Sequence, residues 1–221
     1  MINPALESRL RELVTVFLAE NAKLNLSAFR TEEQCWTGNV LDSLAALELP
    51  PFTGRVLDLG TGGGFPMLPL ALALPDVRCA GLDSVQKKVD ATNRIIAAMN
   101  MQNAQCLCGR TEVFGRMPEH RERYDAVLAR GVAEITVLLE YASPFLKPGG
   151  RIVLWKSMNV EEELKESGHA QKELYCRLLD RHVYELPGDW GKRQLLVFEK
   201  TAHLSGKYPR EVGVPKKKPL R

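Results

Sequence analysis

The sequence predicts an α/β fold built on a doubly wound, mostly parallel sheet. From residue 55 onward, short apolar runs alternate with amphipathic segments of helical period, a pattern typical of right-handed βαβ crossovers. Runs such as VLDLG at 56–60 are apolar apart from one aspartate, as expected for strands covered on both faces. The last two predicted strands are joined through residues 186–189 without a helix, which indicates an antiparallel pair at one edge.

A helical extension is predicted to precede the sheet. Apolar residues recur at helical spacing over 4–20, behind a proline suited to the first helical position. Thr31 and Gln34 resemble a capping box that opens a second helix, and a third is predicted over 40–47. The expected organisation is therefore an extension, a main domain and a basic tail, over residues 1–50, 51–206 and 207–221.

The elements of the sheet follow from the local pattern of apolar residues and turn residues. Strands are predicted at 55–59, 78–83, 104–108, 124–129, 150–155, 181–186 and 193–199. Helices are predicted at 65–74, 84–100, 134–146 and 159–177. We expect Ser84 to cap the second of these helices, because a serine hydroxyl accepts from the free N–H groups of a first turn.

Composition indicates a soluble globular protein of the cytoplasm. The chain has 221 residues, 45% hydrophobic and 26% charged, and no apolar run approaches the ~20 residues that span a membrane. Its first residues lack the basic start and apolar centre of a signal peptide. The five cysteines form no CxxC pair, so neither a disulfide framework nor a metal site is expected.

Positive charge is concentrated at the C-terminus. Residues 207–221 hold six Lys or Arg and one Glu, a net charge of +5, so the preceding 206 residues sum to −2 within a total of +3. Such a segment can bind a polyanion although the whole chain is nearly neutral. A solvated terminus without a partner would have the same composition.

A glycine-rich loop follows the first strand of the sheet, within VLDLGTGGGFPMLPLAL at 56–72. Ligands in open α/β sheets bind beyond the carboxyl ends of the strands, where glycine lets the main chain approach them closely. A dinucleotide loop would need a small residue where this chain has Phe65, and no Gly-Lys-Ser/Thr of a P-loop follows. The form D-x-G-x-G, here Asp58, Gly60 and Gly62, resembles motif I of S-adenosylmethionine-dependent methyltransferases.

Two further strand ends carry candidate ligands. Asp83 ends the second strand, 23 positions after Gly60, where a carboxylate can accept hydrogen bonds from both ribose hydroxyls. Dehydrogenases have an acid at the same point, so Asp83 indicates that a nucleoside binds here but does not distinguish S-adenosylmethionine from a dinucleotide. Thr111 and Glu112 follow the third strand, where they either border an adenine ring or cap a short helix.

Taken together, the motifs resemble one family, the bacterial small-subunit ribosomal RNA guanine-N7 methyltransferases known as RsmG or glucose-inhibited division protein B. The resemblance runs in order over nearly the whole chain. Its segments are LNLSAF at 24–29, NVLDSL at 39–44, VLDLGTGGGFPMLPLAL at 56–72, DSVQKKV at 83–89, GRTEVF at 109–114, LARGVA at 128–133, GRIVLWK at 150–156 and YPREVGVPKKKPL at 208–220.

The resemblance implies a Rossmann-like class I methyltransferase sheet, S-adenosylmethionine as cofactor and small-subunit ribosomal RNA, free or in a particle, as partner of a monomeric enzyme. It implies cofactor contacts by Gly60, Gly62, Phe65, Asp83, Thr111, Glu112 and Arg130. For Arg130, a contact with RNA phosphate, the target base or the cofactor carboxylate is open, as is a structural ion pair. The implied RNA contacts in the tail are Lys207, Tyr208, Arg210, Lys216, Lys217 and Lys218.

The chain also departs from the family pattern. Where family members have Arg-His before VLDSL, this chain has Gly38-Asn39, and where the loop continues FPG it has Met67, which we expect to narrow the mouth of the site. Asn25, Ser27 and Asp42 of the extension are further candidates to face the substrate.

The predicted chemistry needs no general base, because guanine N7 has a free lone pair and no proton; orientation is the main requirement. The (N/D)PP(Y/F) motif of exocyclic-amine methylation is replaced by LARGVA, and no cysteine nucleophile follows the fourth or fifth strand. Methylation of a small molecule or protein, RNA binding without catalysis, and NAD(P)-dependent oxidoreduction are the alternatives.

Overall fold

A computed structural model describes residues 3–221 as a seven-stranded sheet with helices on both faces. The strands are β1 (Arg55–Leu59), β2 (Arg78–Asp83), β3 (Ala104–Cys108), β4 (Tyr124–Arg130), β5 (Leu146–Lys156), β6 (Cys176–Leu186) and β7 (Gly191–Lys200). The helices are α1 (Pro4–Leu24), α2 (Glu32–Cys35), α3 (Asp42–Leu44), α4 (Met67–Ala73), α5 (Gln86–Ala98), α6 (Thr111–Phe114), α7 (Ile135–Ala142), α8 (Glu161–Glu166), α9 (Gly168–Glu173) and α10 (Val214–Lys217).

The strand order is β3-β2-β1-β4-β5-β7-β6. The first five strands of this order pair in parallel, whereas β7 runs antiparallel to both β5 and β6. The predicted doubly wound sheet with an antiparallel edge is therefore confirmed. The order reverses beside β1, so the loops after β1 and β4 flank the switch point at which open α/β sheets bind ligands.

Each face of the sheet is covered by its own apolar core. On one face, alternate strand residues such as Val56 pack with α1, α4 and α5. On the other face, residues such as Leu57 and Leu59 pack with α7. The helical extension takes part in the first core, since Leu10 and Phe17 of α1 are fully buried there.

The extension folds largely as predicted. Asn3 caps α1, accepting from the Leu6 N–H at 2.8 Å, and Pro4 occupies its first turn. The capping box of Thr31 and Gln34 is present, with both reciprocal hydrogen bonds. A π-helical segment, Trp36–Leu41, joins α2 directly to α3, so the second and third predicted helices form one continuous helical run.

Three local predictions are wrong. Ser84 does not cap α5: the N-cap is Val85, whose N–H is instead taken by the Asp83 carboxylate at 2.9 Å. The helix expected over 159–177 is two short helices, α8 and α9, which meet at Ser167. Strand β6 consequently begins at Cys176, five residues earlier than predicted. No helix within residues 3–221 has the length and apolarity needed to cross a membrane.

Candidate functional site

The glycine loop leaves β1 in a left-handed conformation, and its main chain is open to a ligand at Gly62. Gly60 has φ +67°, and its N–H donates to the Leu82 carbonyl at 2.7 Å, which fastens the loop to β2. Gly62 has φ +56°, and a Cβ built there would meet no atom closer than the Gly60 carbonyl oxygen at 3.8 Å. A side chain would occupy open space at Gly62, so its absence leaves room for a ligand against the backbone.

Asp83 lies opposite this loop and is held rigidly. Its Oδ2 accepts the Gly62 N–H at 3.0 Å, and its Oδ1 accepts the Val85 N–H at 2.9 Å. An ionised carboxylate offers about four lone-pair positions, so each oxygen can accept one further donor. The predicted partners, loop glycine and strand-end acid, are thus brought together by hydrogen bonding although they lie on different strands.

Asp58 lies beneath the loop and ties its two ends together by hydrogen bonds. Its Oδ2 accepts from the Thr61 hydroxyl at 2.7 Å and the Met67 N–H at 3.3 Å. Its Oδ1 is buried and has no hydrogen-bond partner among residues 3–221. Burial raises the pKa of Asp58 to about 7, against the opposing hydrogen bonds and the nearby charge of Arg130. Buried polar atoms are nearly always hydrogen-bonded, so an unpaired oxygen at this depth is exceptional.

Phe65 closes the loop from the side of the extension. Its ring is 6% exposed and makes an edge contact with Phe17 of α1, with centroids 4.9 Å apart. Gly63 presses against the same Phe17 ring. Met67 is only 1% exposed and belongs to the core, so the expectation that its side chain narrows the mouth of the site is wrong.

Arg130 ends β4 on the other side of the loop and is held by the extension. Its Nη1 donates to Asp42 Oδ2 at 2.8 Å and to the Gly38 carbonyl at 2.9 Å, while Nη2 donates to Asn39 Oδ1 at 2.8 Å. Its guanidinium carbon lies 5.9 Å from the centroid of the Phe65 ring. The structural ion pair left open by the sequence is therefore present, and it fixes a cation beside the glycine loop.

The three substrate candidates of the extension make internal contacts. Asp42 is fully buried, and both Arg130 and the Tyr184 hydroxyl donate to its carboxylate. It is therefore not available to contact a substrate. Asn25 accepts from Arg30 at 2.8 Å, and the Ser27 hydroxyl accepts the Phe29 N–H at 3.2 Å. These bonds shape the turn after α1, which lies over the glycine loop.

Thr111 and Glu112 begin α6, at the exit of β3. Thr111 is half-buried, whereas Glu112 is 2% exposed and its Oε1 accepts the N–H of Gly213 at 2.8 Å. No side chain caps α6, so the helix-capping alternative for Glu112 is wrong. The wall in which an adenine contact was expected is therefore tied to the C-terminal tail.

Two tail residues implied to bind RNA are structural instead. Tyr208 is 5% exposed, and its hydroxyl donates to Glu173 at 2.9 Å, so its ring is not available to stack on a base. The guanidinium of Arg210 donates to both carboxylate oxygens of Glu140 on α7, through hydrogen bonds of 2.6–3.1 Å. Both expectations are corrected by these contacts, because the tail packs on the domain and does not extend into solvent.

The lysines of the tail divide into two groups. Lys207 forms an exposed ion pair with Glu173 at 2.8 Å. Lys216, Lys217 and Lys218 are exposed and form no ion pair with any residue that the structure describes. Only this second group presents the uncompensated charge that the composition of the tail suggested.

Residues 6–188 match the family GidB, described as rRNA small subunit methyltransferase G. The chain belongs to this family. It is 38% identical over 206 residues to the ribosomal RNA small subunit methyltransferase G of Carboxydothermus hydrogenoformans, covering 93% of this chain and 88% of that protein. It is 40% identical over 216 residues to the protein of the same name from Deinococcus radiodurans, covering 97% and 85%.

Solved structures show the same fold at low identity. TYW2 from M. jannaschii, solved in complex with AdoMet, has a TM-score of 0.57 at 18% identity, covering 74% of this chain and 76% of that one. TrmN from Thermus thermophilus has a TM-score of 0.52 at 22% identity, covering 73% and 48%. The predicted Rossmann-like methyltransferase fold is confirmed.

Membership of the family confirms the resemblance seen in the motifs. The chain is an S-adenosylmethionine-dependent methyltransferase of small-subunit ribosomal RNA. Oxidoreduction with NAD(P) and methylation of a small molecule are thereby set aside.

Proposed function

We propose that this chain transfers the methyl group of S-adenosylmethionine to N7 of a guanine in 16S ribosomal RNA, acting as a cytoplasmic monomer. The observation that carries the assignment of the site is the Asp83 carboxylate fixed to the N–H of Gly62 at 3.0 Å. It supports a nucleoside site at the switch point of a sheet whose family methylates small-subunit ribosomal RNA.

The described residues fit an adenosyl cofactor. Gly62 leaves open the space that its Cβ would need, and Asp83 retains lone pairs for two hydroxyl groups. Beneath the loop, Asp58 Oδ1 is buried without a hydrogen-bond partner among residues 3–221. The cofactor supplies an electrophilic methyl group on a positively charged sulfur. Asp83 would hold its ribose and Thr111 would border its adenine, while Glu112 acts on that wall indirectly by holding Gly213.

The chain's part in the reaction is orientation. Guanine N7 attacks through a lone pair, so no residue has to remove a proton first. Consistent with this, the carboxylates near the loop all have structural partners: Asp42 holds Arg130, Asp83 holds Gly62, and Asp58 holds Thr61. Positioning of the two reactants can supply about 7–11 kcal/mol of the barrier in favourable cases.

The test is transfer of a tritiated methyl group to 16S ribosomal RNA and to small subunits from cells that lack the gene. We expect one methyl group per RNA, at a guanine that becomes sensitive to borohydride and aniline, a treatment that cleaves RNA at N7-methylguanosine. Methyl transfer without cleavage would assign another atom of the base. No transfer to either RNA substrate would overturn the proposal.

Replacement of Asp83 with alanine is expected to weaken cofactor binding by about 1–3 kcal/mol, since hydrogen bonds to a charged group are lost. Isothermal titration with S-adenosylmethionine measures this directly. Asp76 supplies a matched control, because it is an exposed acid just before the same strand, at the opposite end of the sheet. An unchanged dissociation constant in the Asp83→Ala variant would remove Asp83 from the site.

The raised pKa of Asp58 should make stability depend on pH. The unfolded chain releases this proton near the ordinary pKa of about 3.9, whereas the folded chain retains it up to about pH 7. The folded state therefore binds more protons in this window and loses stability as pH rises.

Between pH 5 and pH 6, we expect the free energy of unfolding of the native chain, minus that of Asp58→Asn, to fall by about 1 kcal/mol. Urea denaturation of both proteins at each pH measures the difference, and the subtraction removes other titrating groups. A difference that stays constant across this range would show that Asp58 is already ionised.

A further inference from the structure

A cationic cavity of about 400 Å³ adjoins the site on the side away from Asp83. It lies where β4 and β5 end and β7 begins, and Arg130 belongs to both its wall and the surroundings of the glycine loop. A ligand in this cavity would therefore lie next to a base presented at the loop. Nothing in the proposed cofactor contacts uses it.

The cations of the cavity outnumber its anions. Asp42 is the acid within it, and its carboxylate is already occupied by Arg130 at 2.8 Å and the Tyr184 hydroxyl at 2.7 Å. Arg193 approaches the same carboxylate only at 3.4 Å and is 34% exposed. Lys192 is exposed and has no ion-pair partner among residues 3–221.

Lys156, the fourth cation, is neutralised separately. Its Nζ donates to Glu163 at 2.7 Å and to the Ala133 carbonyl at 3.1 Å. Lys192 is thus without an ion-pair partner among the described residues, and Arg193, the next residue of β7, shares the single charge of Asp42 with Arg130. The cavity therefore keeps a net positive charge, which is suited to bind an anion.

Trp190 forms part of the rim of the cavity, and the glycine at position 38, where family members have arginine, makes room for it. Its indole packs edge-on against Phe29, with centroids 5.2 Å apart, and fills the space where a Cβ on Gly38 would lie, at 2.5 Å. Gly38 thus allows Trp190 to reach this position. The guanidinium carbon of Arg193 lies 5.8 Å from the centroid of the indole ring, which helps to hold it there.

We propose that this cavity binds a backbone phosphate of the RNA strand next to the target guanosine, with Lys192 and Arg193 as its ligands. The inference rests on the proposed RNA methyltransferase function and names the contact that orients its substrate. A guanine base is disfavoured in the cavity, because its N1–H and amino groups need acceptors, and the carboxylate of Asp42 is already engaged. Phosphate contacts set register and orientation without reading sequence.

The decisive variant is Lys192→Ala, which removes no side-chain hydrogen bond or ion pair within residues 3–221 and should fold normally. We expect the dissociation constant for 16S ribosomal RNA to rise about fivefold, the upper range for an exposed charge pair. The slope of log affinity against log salt should become shallower by about 0.7–0.9, the value for one lost phosphate contact. Affinity for S-adenosylmethionine should be unchanged.

Lys172→Ala is the matched control, since this residue is also exposed and without an ion pair within residues 3–221 but lies on α9, away from the cavity and outside the tail. We expect it to change RNA affinity less than twofold. An unchanged salt slope for Lys192→Ala, with RNA methylated normally, would overturn the phosphate-binding role of the cavity and leave the proposed function intact. Failure of the native chain to methylate or bind ribosomal RNA would instead overturn the proposed function, and the phosphate-binding role of the cavity would fall with it.

Discussion

Replacing Arg210 with alanine is expected to lower the free energy of unfolding by about 4 kcal/mol, the cost of leaving a buried charge without its partner. Glu140 has only 1% of its side chain exposed, and Arg210 supplies both its guanidinium and its backbone N–H to that carboxylate. The hydrogen bond to Glu140 raises the pKa of Arg210, so the guanidinium is charged at any ordinary pH. The residue implied to bind RNA thus serves to anchor the tail.

Urea denaturation measures this loss, and Arg221→Ala is its control. Arg221 is in the same tail, but its contact with Glu134 is half exposed on both sides, so we expect a change below about 0.5 kcal/mol. If Arg210→Ala had the native free energy of unfolding and lost only RNA affinity, Arg210 would be a contact for RNA and not an anchor of the tail.

The anchoring of the tail changes the meaning of its deletion. Without residues 207–221, Glu140 would lose Arg210, and Glu112 would lose the Gly213 N–H at the wall next to Thr111. Cofactor binding and stability would then fall together with RNA binding. Point variants of the exposed lysines are therefore the informative probes of the tail.

Local patterns predicted the parts of the structure that depend on neighbouring residues. The bounds of β1, β2 and β3 agree with those predicted, since short apolar runs between turn residues leave few alternatives. The loop glycines and Asp83 were also found from sequence, because strand order places the carboxyl ends of adjacent parallel strands together.

Charge pairing across the fold was not predictable in this way. Arg210 and Glu140 are 70 residues apart, and Arg130 and Asp42 are 88 apart. A lysine- and arginine-rich tail has the same local pattern whether its charges are solvated or paired with buried acids of distant helices. Likewise, serine at position 84 is a residue type that favours the N-cap, yet α5 begins one residue later, behind Val85, whose N–H donates to Asp83.

The second large effect is expected at Asp42. Replacing it with alanine should lower the free energy of unfolding by about 3 kcal/mol, because its removal leaves Arg130 without its anion and the Tyr184 hydroxyl without an acceptor. Asp42 is fully buried, and it links the helical extension to β4 and β6 through these two side chains. Arg130 is 19% exposed, so water offsets part of the loss.

Asp42→Asn separates stability from function at this position. The amide keeps an oxygen for one donor but removes the charge, so we expect a smaller loss of stability and a persistent loss of RNA methylation, since Arg130 is no longer held beside the loop. Glu48→Ala is the control, because Glu48 joins the same extension to β6 by an exposed contact with His182. Native turnover in a folded Asp42→Asn variant would show that the charge of Asp42 stabilises the fold without positioning Arg130 for the reaction.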